Sequence, residues 1–188
     1  RFDQEVRSIY MQDRLEWGDA GLTLGLRRDH FTQRLARSDT SVQSYQSASR
    51  NSPRIAADWL WLRGAAGEHV LFANWTEGFR PHAVALNTRD GIVMPNILRP
   101  ERTRSREIGL KGRALDASWA YQVSVFEARK IDGQRYYRNG PDSFISTNAT
   151  SRVHGLEAQA QWRLSPRWSG WAHYTWQDAR LNDFQTYT

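Results

Sequence analysis

Cysteine is absent from this chain of 188 residues, and lysine occurs only at Lys111 and Lys130. The absence of cysteine excludes a disulfide framework, a thiolate metal site and a cysteine nucleophile. Long apolar runs are also missing, because the densest apolar cluster covers only residues 59–62. No window approaches the roughly 20 apolar residues of a membrane-spanning helix.

Arginine and aromatic residues are what the chain has in excess. The net charge is +6 and nine residues are tryptophan, although the mean hydropathy is −0.73. Arginine is spread along the chain instead of forming one cluster, which argues against a nucleic-acid partner. The length is typical of one domain.

Apolar and polar residues alternate with a period of two. Between Ser8 and Trp17, most odd positions are apolar and the even positions are mainly polar. This period indicates a strand with one apolar and one polar face. The pattern recurs, and we predict an all-β fold of eight antiparallel strands of about 9–13 residues, in four hairpins.

The connections between these strands alternate in length. Those inside each hairpin have about 3–6 residues, whereas the predicted loops 31–52, 81–103 and 131–150 have about 20 residues each. All long loops fall at one end of the sheet. Short turns at one end and long loops at the other are typical of an up-and-down transmembrane β-barrel of the bacterial outer membrane.

The tryptophans support this interpretation. Five of them flank short turns at one end of the sheet, where a membrane interface is expected to hold an aromatic girdle; they are Trp17, Trp61, Trp119, Trp162 and Trp168. We expect a lipid-facing set that includes Ile9, Leu24, Trp59, Val123, Ala158 and Tyr174. We expect an inward set that includes Arg14, Glu16, Arg27, Glu107, Lys111, Arg113, Glu157, Gln159 and Arg163.

Motifs that carry catalytic or metal chemistry are missing. The five histidines have no metal-ligand spacing, and no nucleophile elbow or close carboxylate pair stands out. We therefore predict no enzyme activity, no catalytic residue, no metal site and no cofactor.

Four segments resemble the barrel of TonB-dependent outer-membrane receptors. They are residues 71–81 (LFANWTEGFRP), 98–111 (LRPERTRSREIGLK), 153–158 (VHGLEA) and 174–179 (YTWQDA). The order and spacing of these segments resemble that family from about residue 9 to residue 179. The resemblance implies a plug inside a 22-stranded barrel, a scarce ligand such as a ferric siderophore bound on the extracellular side, and import energised through TonB.

The long loops hold the candidate ligand-binding residues. Guanidinium groups recognise carboxylates, and aromatic rings stack on flat ligand groups. The candidates are Arg34, Arg37, Tyr45, His82, Arg89, Arg99, Arg135, Tyr136 and Tyr137; the same loops also carry Arg50, Arg102 and Arg138. Haem, cobalamin and oligosaccharides are ligands of similar receptors, and the residues do not select among them.

Two architectures remain open at this point. The first is an interior part of the large barrel, covering residues 1–188, without the plug and the C-terminal strands. This architecture predicts an open sheet, because part of a barrel has an unpaired strand at each of its two edges. The second is a complete eight-stranded barrel with a structural or adhesive role, for which this length suffices. That alternative requires the first and last strands to pair.

Overall fold

Strands account for nearly all of the described chain. The computed structural model describes residues 1–36, 43–82, 85–89, 92–96, 98–138 and 144–182. Within these ranges there is no helix long and apolar enough to cross a membrane. The strands are β1 (Phe2–Trp17), β2 (Ala20–Ala36), β3 (Gln43–Gly64), β4 (Gly67–Arg80), β5 (Ala85–Arg89), β6 (Ile92–Asn96), β7 (Glu101–Arg113), β8 (Trp119–Arg138), β9 (Phe144–Ser165) and β10 (Trp168–Asn182).

The eight long strands form one antiparallel meander. Each pairs with the next long strand along the chain, in the order β1, β2, β3, β4, β7, β8, β9, β10. This confirms the predicted eight-stranded arrangement. The short strands β5 and β6 form a hairpin inside the predicted loop 81–103, and β5 contacts β9 at Thr88 and Phe144. The alternation of polar and apolar residues does not predict this hairpin.

The strand register separates the two predicted faces. Directly paired residues share a face, so one row across the sheet carries Trp59, Leu71, Leu110, Val123, Ala158 and Tyr174. The neighbouring row carries Asp58, Phe72, Gly109, Ser124, Glu157 and Thr175. Every residue of the predicted lipid-facing set lies on the first face, and every residue of the inward set lies on the second.

A cavity identifies the concave face. Its volume is about 760 Å³, and most of its lining comes from the polar face, including Lys111, Gln122, Gln159 and His173. The apolar face is correspondingly the convex one, and its side chains are exposed, with Ile9 at 72% and Ile108 at 59%. A sheet that exposes its apolar side chains in this way is suited to contact with lipid.

The prediction that residues 31–52 and 131–150 form loops is largely wrong. The pairing of β2 with β3 extends as far as Ala36 and Gln43. The pairing of β8 with β9 extends as far as Arg138 and Phe144. These strands have 17, 22, 20 and 22 residues, more than the predicted 9–13. The reason is that a ladder of backbone hydrogen bonds continues where both faces are polar, and there the period of two that marks a half-buried strand fades.

The tryptophan girdle lies where it is predicted. Trp17, Trp61, Trp119, Trp162 and Trp168 are all within a few residues of the short turns. The imidazole of His69 lies between the rings of Trp61 and Trp119, at centroid distances of 6.3 and 5.7 Å. Its Nδ1 is 2.8 Å from the hydroxyl of Tyr121. Amphipathic rings at one level of the sheet are typical of a membrane interface.

The turn between β7 and β8 is held by its own side chains. Ala117 has a φ of 55°, and the backbone N–H of Ser118 donates a hydrogen bond to Asp116 Oδ1 at 3.0 Å. The hydrogen bonds from Ser118 lower the pKa of the Asp116 carboxyl below its usual value. Any stability that this contact adds is therefore present at neutral pH and is lost as the pH falls through the lowered pKa.

The sheet is open. Among the described residues, β1 pairs only with β2 and β10 pairs only with β9. The pairing of first and last strands that a complete eight-stranded barrel requires is absent there. The open edges match the expectation for part of a larger barrel.

Candidate functional site

Ion pairs on the concave face connect strands that are not neighbours. Arg14 on β1 donates two hydrogen bonds to Asp58 on β3, at 2.8 and 3.1 Å, and a third to Glu16 at 2.9 Å. A bidentate arginine–carboxylate pair holds both side chains in one geometry. Because the two side chains are 44% and 32% exposed, solvent screens their attraction and the pair contributes little to stability.

Glycine makes room for this pair on the intervening strand. Gly21 of β2 lies between Glu16 and Asp58 in the register. A Cβ at Gly21 would lie 2.3 Å from Arg14 Nη2. The missing side chain therefore allows the guanidinium to cross β2 and reach β3.

A small core forms on the concave face at the end far from the short turns. Phe31 is fully buried, and its ring lies 5.4 Å from that of Phe79. Gln46 Nε2 donates to the carbonyl oxygen of Leu98 at 3.0 Å. Gln33, beside Phe31 on the same face, is only 1% exposed. The connection between β4 and β7 therefore packs over the paired ends of β2 and β3.

His82 belongs to this packed region. The side chain is 3% exposed, and its Nε2 lies 2.6 Å from the carbonyl oxygen of Asp132 on β8. Asp132 has a φ of 58° and lies in a β-bulge between Lys130 and Gly133. In this structure His82 is therefore buried and joins the β4–β7 connection to β8.

Four of the other candidate ligand-binding residues are described together with their side chains, and they lie at the same end of the sheet. Arg34 and Tyr45 are directly paired and exposed, and they follow the phase of the convex face. Arg99 is exposed beside Leu98, and Arg135 is half-buried on β8. Arg37 lies outside the described residues. Arg89, Tyr136 and Tyr137 lie on strands, but their side chains are outside what the structure describes.

The register places on the concave face a polar residue, Arg50, that was not among the candidates favoured from the sequence. Arg50 lies directly opposite Asp29 in the register of β2 and β3, on the concave face. Asp29 forms an ion pair with Arg27 at 2.8 Å. Arg50 was assigned to a loop, so its phase could not be used. Extending the alternation from Ile55 back to Arg50 is the signal that would have found it. No group of three or more metal-ligating side chains occurs within the described ranges.

Comparison with known proteins identifies the family. A family model described as TonB dependent receptor-like, beta-barrel matches residues 1–188. This chain belongs to that family. The resemblance inferred from four segments is therefore confirmed, and so is the outer-membrane localisation. The family consists of receptors and not of enzymes.

Individual relatives are distant in sequence but close in fold. The chain is 24% identical over 185 residues to the ferrichrome outer membrane transporter/phage receptor of Escherichia coli, covering 98% of this chain and 23% of that protein. The alcaligin outer-membrane receptor FauA of Bordetella pertussis superposes with a TM-score of 0.73 at 18% identity, over 96% of this chain and 31% of the other. The ferripyoverdine receptor of Pseudomonas aeruginosa bound to ferripyoverdine gives 0.71 at 21% identity, over 96% and 24%.

Coverage is strongly one-sided in these matches. The chain spans about a quarter of the length of the curated relatives it matches. Its eight long strands therefore correspond to part of a larger protein in each comparison.

Proposed function

We propose that this chain is the interior part of the barrel of an outer-membrane receptor that binds a ferric siderophore outside the cell and imports it with energy supplied through TonB. The observation that carries the proposal is the family match over residues 1–188. The similar proteins named above carry or bind ferrichrome, alcaligin and ferripyoverdine according to their names.

The open sheet supports the proposal of a partial barrel. An open sheet edge cannot lie in lipid, because its unpaired backbone groups would find no hydrogen-bond partners there. Both outer edges, on β1 and β10, lack a partner strand among the described residues. Further strands of the receptor would pair with these edges. The plug and the segment that contacts TonB would lie elsewhere in the same protein.

Ligand contact would occur at the end of the sheet far from the short turns. The candidates on the concave phase there are Arg50 and, beside it, Arg27. Four other candidates lie at the same end of the sheet and would contact the ligand where the complete barrel brings them close to it. They are Arg34, Tyr45, Arg99 and Arg135. Arginine is suited to the anionic, oxygen-rich surface of a ferric chelate. Arg37, Arg89, Tyr136 and Tyr137 remain candidates on sequence grounds.

Uptake of iron by cells tests the proposal. A strain lacking the gene is expected to lose growth on one class of ferric siderophore as sole iron source, and a strain lacking TonB is expected to lose the same growth. Uptake of every iron chelate at the wild-type rate in the gene deletion would contradict the assignment. Restored growth with the intact gene is the control.

A pair of arginine variants tests the ligand-binding end. In the full-length receptor, Arg50→Gln is expected to weaken binding of the siderophore about tenfold, because it removes charge-assisted hydrogen bonds. Arg28→Gln is the matched control, since Arg28 lies at nearly the same level as Arg50 along the strands but on the convex face. Equal binding by the two variants would exclude Arg50 from the site.

A further inference from the structure

Strand β8 contains one more residue than β9 at a β-bulge near the end far from the short turns. Lys130 and Gly133 of β8 lie opposite residues of β9 that are only two positions apart, Ser151 and Ala149. Residues 131 and 132 of β8 therefore stand against a single residue of β9. A bulge of this kind accommodates an extra residue without ending the strand, and it changes the direction of the side chains that follow.

The bulge changes the face of β8 on which Arg135 lies. Up to Lys130 the even positions of β8 lie on the concave face, and unbroken alternation would place Arg135 on the convex face. Gly133 instead lies opposite Ala149, which shares the concave face of β9 with Ser151. Arg135 follows Gly133 by two residues and therefore lies on the concave face, toward the proposed ligand site.

The residues of the bulge adopt a specific conformation. Asp132 has a φ of 58°, in the left-handed region that residues other than glycine seldom adopt. Such a conformation persists where the surrounding contacts impose it. A Cβ at Gly133 would lie 3.1 Å from Lys130 Cδ and 3.3 Å from the carbonyl oxygen of Ala149, so the next position has little room for a side chain.

Two residues from outside β8 and β9 hold Asp132 in place. His82 Nε2 lies 2.6 Å from the backbone carbonyl oxygen of Asp132, and it donates the hydrogen bond because a carbonyl oxygen can only accept. Arg102 on β7 contacts the carboxylate of Asp132 at 3.7 Å. His82 is only 3% exposed, whereas the side chains of Arg102 and Asp132 are 25% and 20% exposed. The hydrogen bond from His82 is therefore the stronger constraint, because its loss would leave a buried polar group without a partner.

We propose that His82 is a positioning residue, which holds the bulge at Asp132 and thereby keeps Arg135 on the concave face. Without the bulge, the extra residue would shift the end of β8 by one position against β9, and Gln134 instead of Arg135 would lie opposite Thr147. A neutral amide would then replace a cation on the face toward an anionic ligand. The contact of Arg135 with a ligand rests on the proposed function, whereas the register is a property of this chain alone.

Disulfide formation in the full-length receptor tests the register, and this chain contributes no cysteine of its own. The pair Arg135→Cys with Thr147→Cys places the two sulfurs at directly opposed positions, which have the separation that a disulfide needs. The pair Gln134→Cys with Thr147→Cys places them on opposite faces. With His82 in place, only the first pair is expected to form a disulfide. His82→Ala is expected to shift the ratio of the two yields about tenfold toward the second pair, because it removes one buried hydrogen bond.

Two further variants separate the register from general stability. His82→Gln keeps an amide N–H that can donate to the same carbonyl oxygen, and it is expected to keep the wild-type ratio. Deletion of Asp132 removes the extra residue, so a regular ladder sets Arg135 opposite Thr147 without a bulge. In that chain His82→Ala is expected to leave the ratio unchanged. A general loss of stability would lower both yields together and would not exchange one pair for the other.

Three outcomes would overturn the role of His82. They are formation of the second pair in the receptor that retains His82, a wild-type ratio in His82→Ala, and an equal effect of His82→Ala in the chain that lacks Asp132. Each of these would leave the siderophore assignment intact, because no ligand takes part in the measurement. Conversely, unchanged iron uptake in the gene deletion would contradict the siderophore assignment and leave the register as it is.

Discussion

Glycine and aromatic residues face each other across neighbouring strands at four places. The directly opposed pairs are Phe72 with Gly109, Tyr121 with Gly112, Phe126 with Gly155 and Trp162 with Gly170. In each pair a Cβ added to the glycine would lie 2.6–2.9 Å from the aromatic ring. The ring thus covers the backbone that glycine exposes, which restores packing at that point. Sequence alone does not reveal these pairs, because they depend on the register.

Gly109→Ala is expected to destabilise the receptor. The new methyl group would lie 2.5 Å from the carbonyl oxygen of Val123 and 2.6 Å from Phe72, and neither can move freely in the paired sheet. We expect the free energy of unfolding to fall by about 1–3 kcal/mol. Gly78→Ala is the control, since its nearest contact is the Thr103 carbonyl oxygen at 3.9 Å. Denaturant unfolding of the full-length receptor in detergent measures both, and equal stability of the two variants would contradict the packing role.

Strands were predictable as elements, but their lengths were not. The alternation of Leu22, Leu24 and Leu26 marks β2 because one face contacts lipid. Beyond Phe31 the strand continues as Thr32, Gln33 and Arg34, where polar residues occupy both faces and polarity no longer distinguishes them. The short hairpin β5–β6 and the packing of Leu98 over Gln46 were likewise hidden, because they depend on contacts between residues distant in sequence.

Phe31→Ala is expected to loosen the far end of the β2–β3 pair. The fully buried ring contacts Phe79, and its removal costs about 3–5 kcal/mol of local packing. We expect faster amide hydrogen exchange in peptides covering 29–35 and 43–49, with exchange near the short turns unchanged. Phe2→Ala is the control, because Phe2 lies on the same face but is 46% exposed. Unchanged exchange in Phe31→Ala would show that the backbone ladder holds this end by itself.

At the scale of the whole molecule, two opposite faces carry different chemistry. The convex face is apolar in its middle, aromatic near the short turns and rich in arginine toward the other end. The concave face carries cross-strand pairs such as Arg14 with Asp58. The sequence predicted both faces, because a period of two assigns each residue to a side. It did not assign the candidate ligand-binding residues Arg34 and Tyr45 to a face, because their phase depends on strands that were taken for loops.

The assignment of the faces predicts how a spin label on β8 responds to oxygen and to a water-soluble nickel chelate. Because the chain has no cysteine, single substitutions to cysteine at positions 120–126 attach one label each in this region. In the receptor in lipid vesicles, labels at Tyr121, Val123 and Val125 are expected to show high oxygen accessibility, since oxygen concentrates in the bilayer. Labels at Ala120, Gln122, Ser124 and Phe126 lie on the concave phase and are expected to show low oxygen accessibility.

A plug packed against the concave face would lower nickel accessibility at the even positions but would leave the alternation in oxygen accessibility intact. Uniform oxygen accessibility along 120–126 would contradict a lipid-facing convex surface.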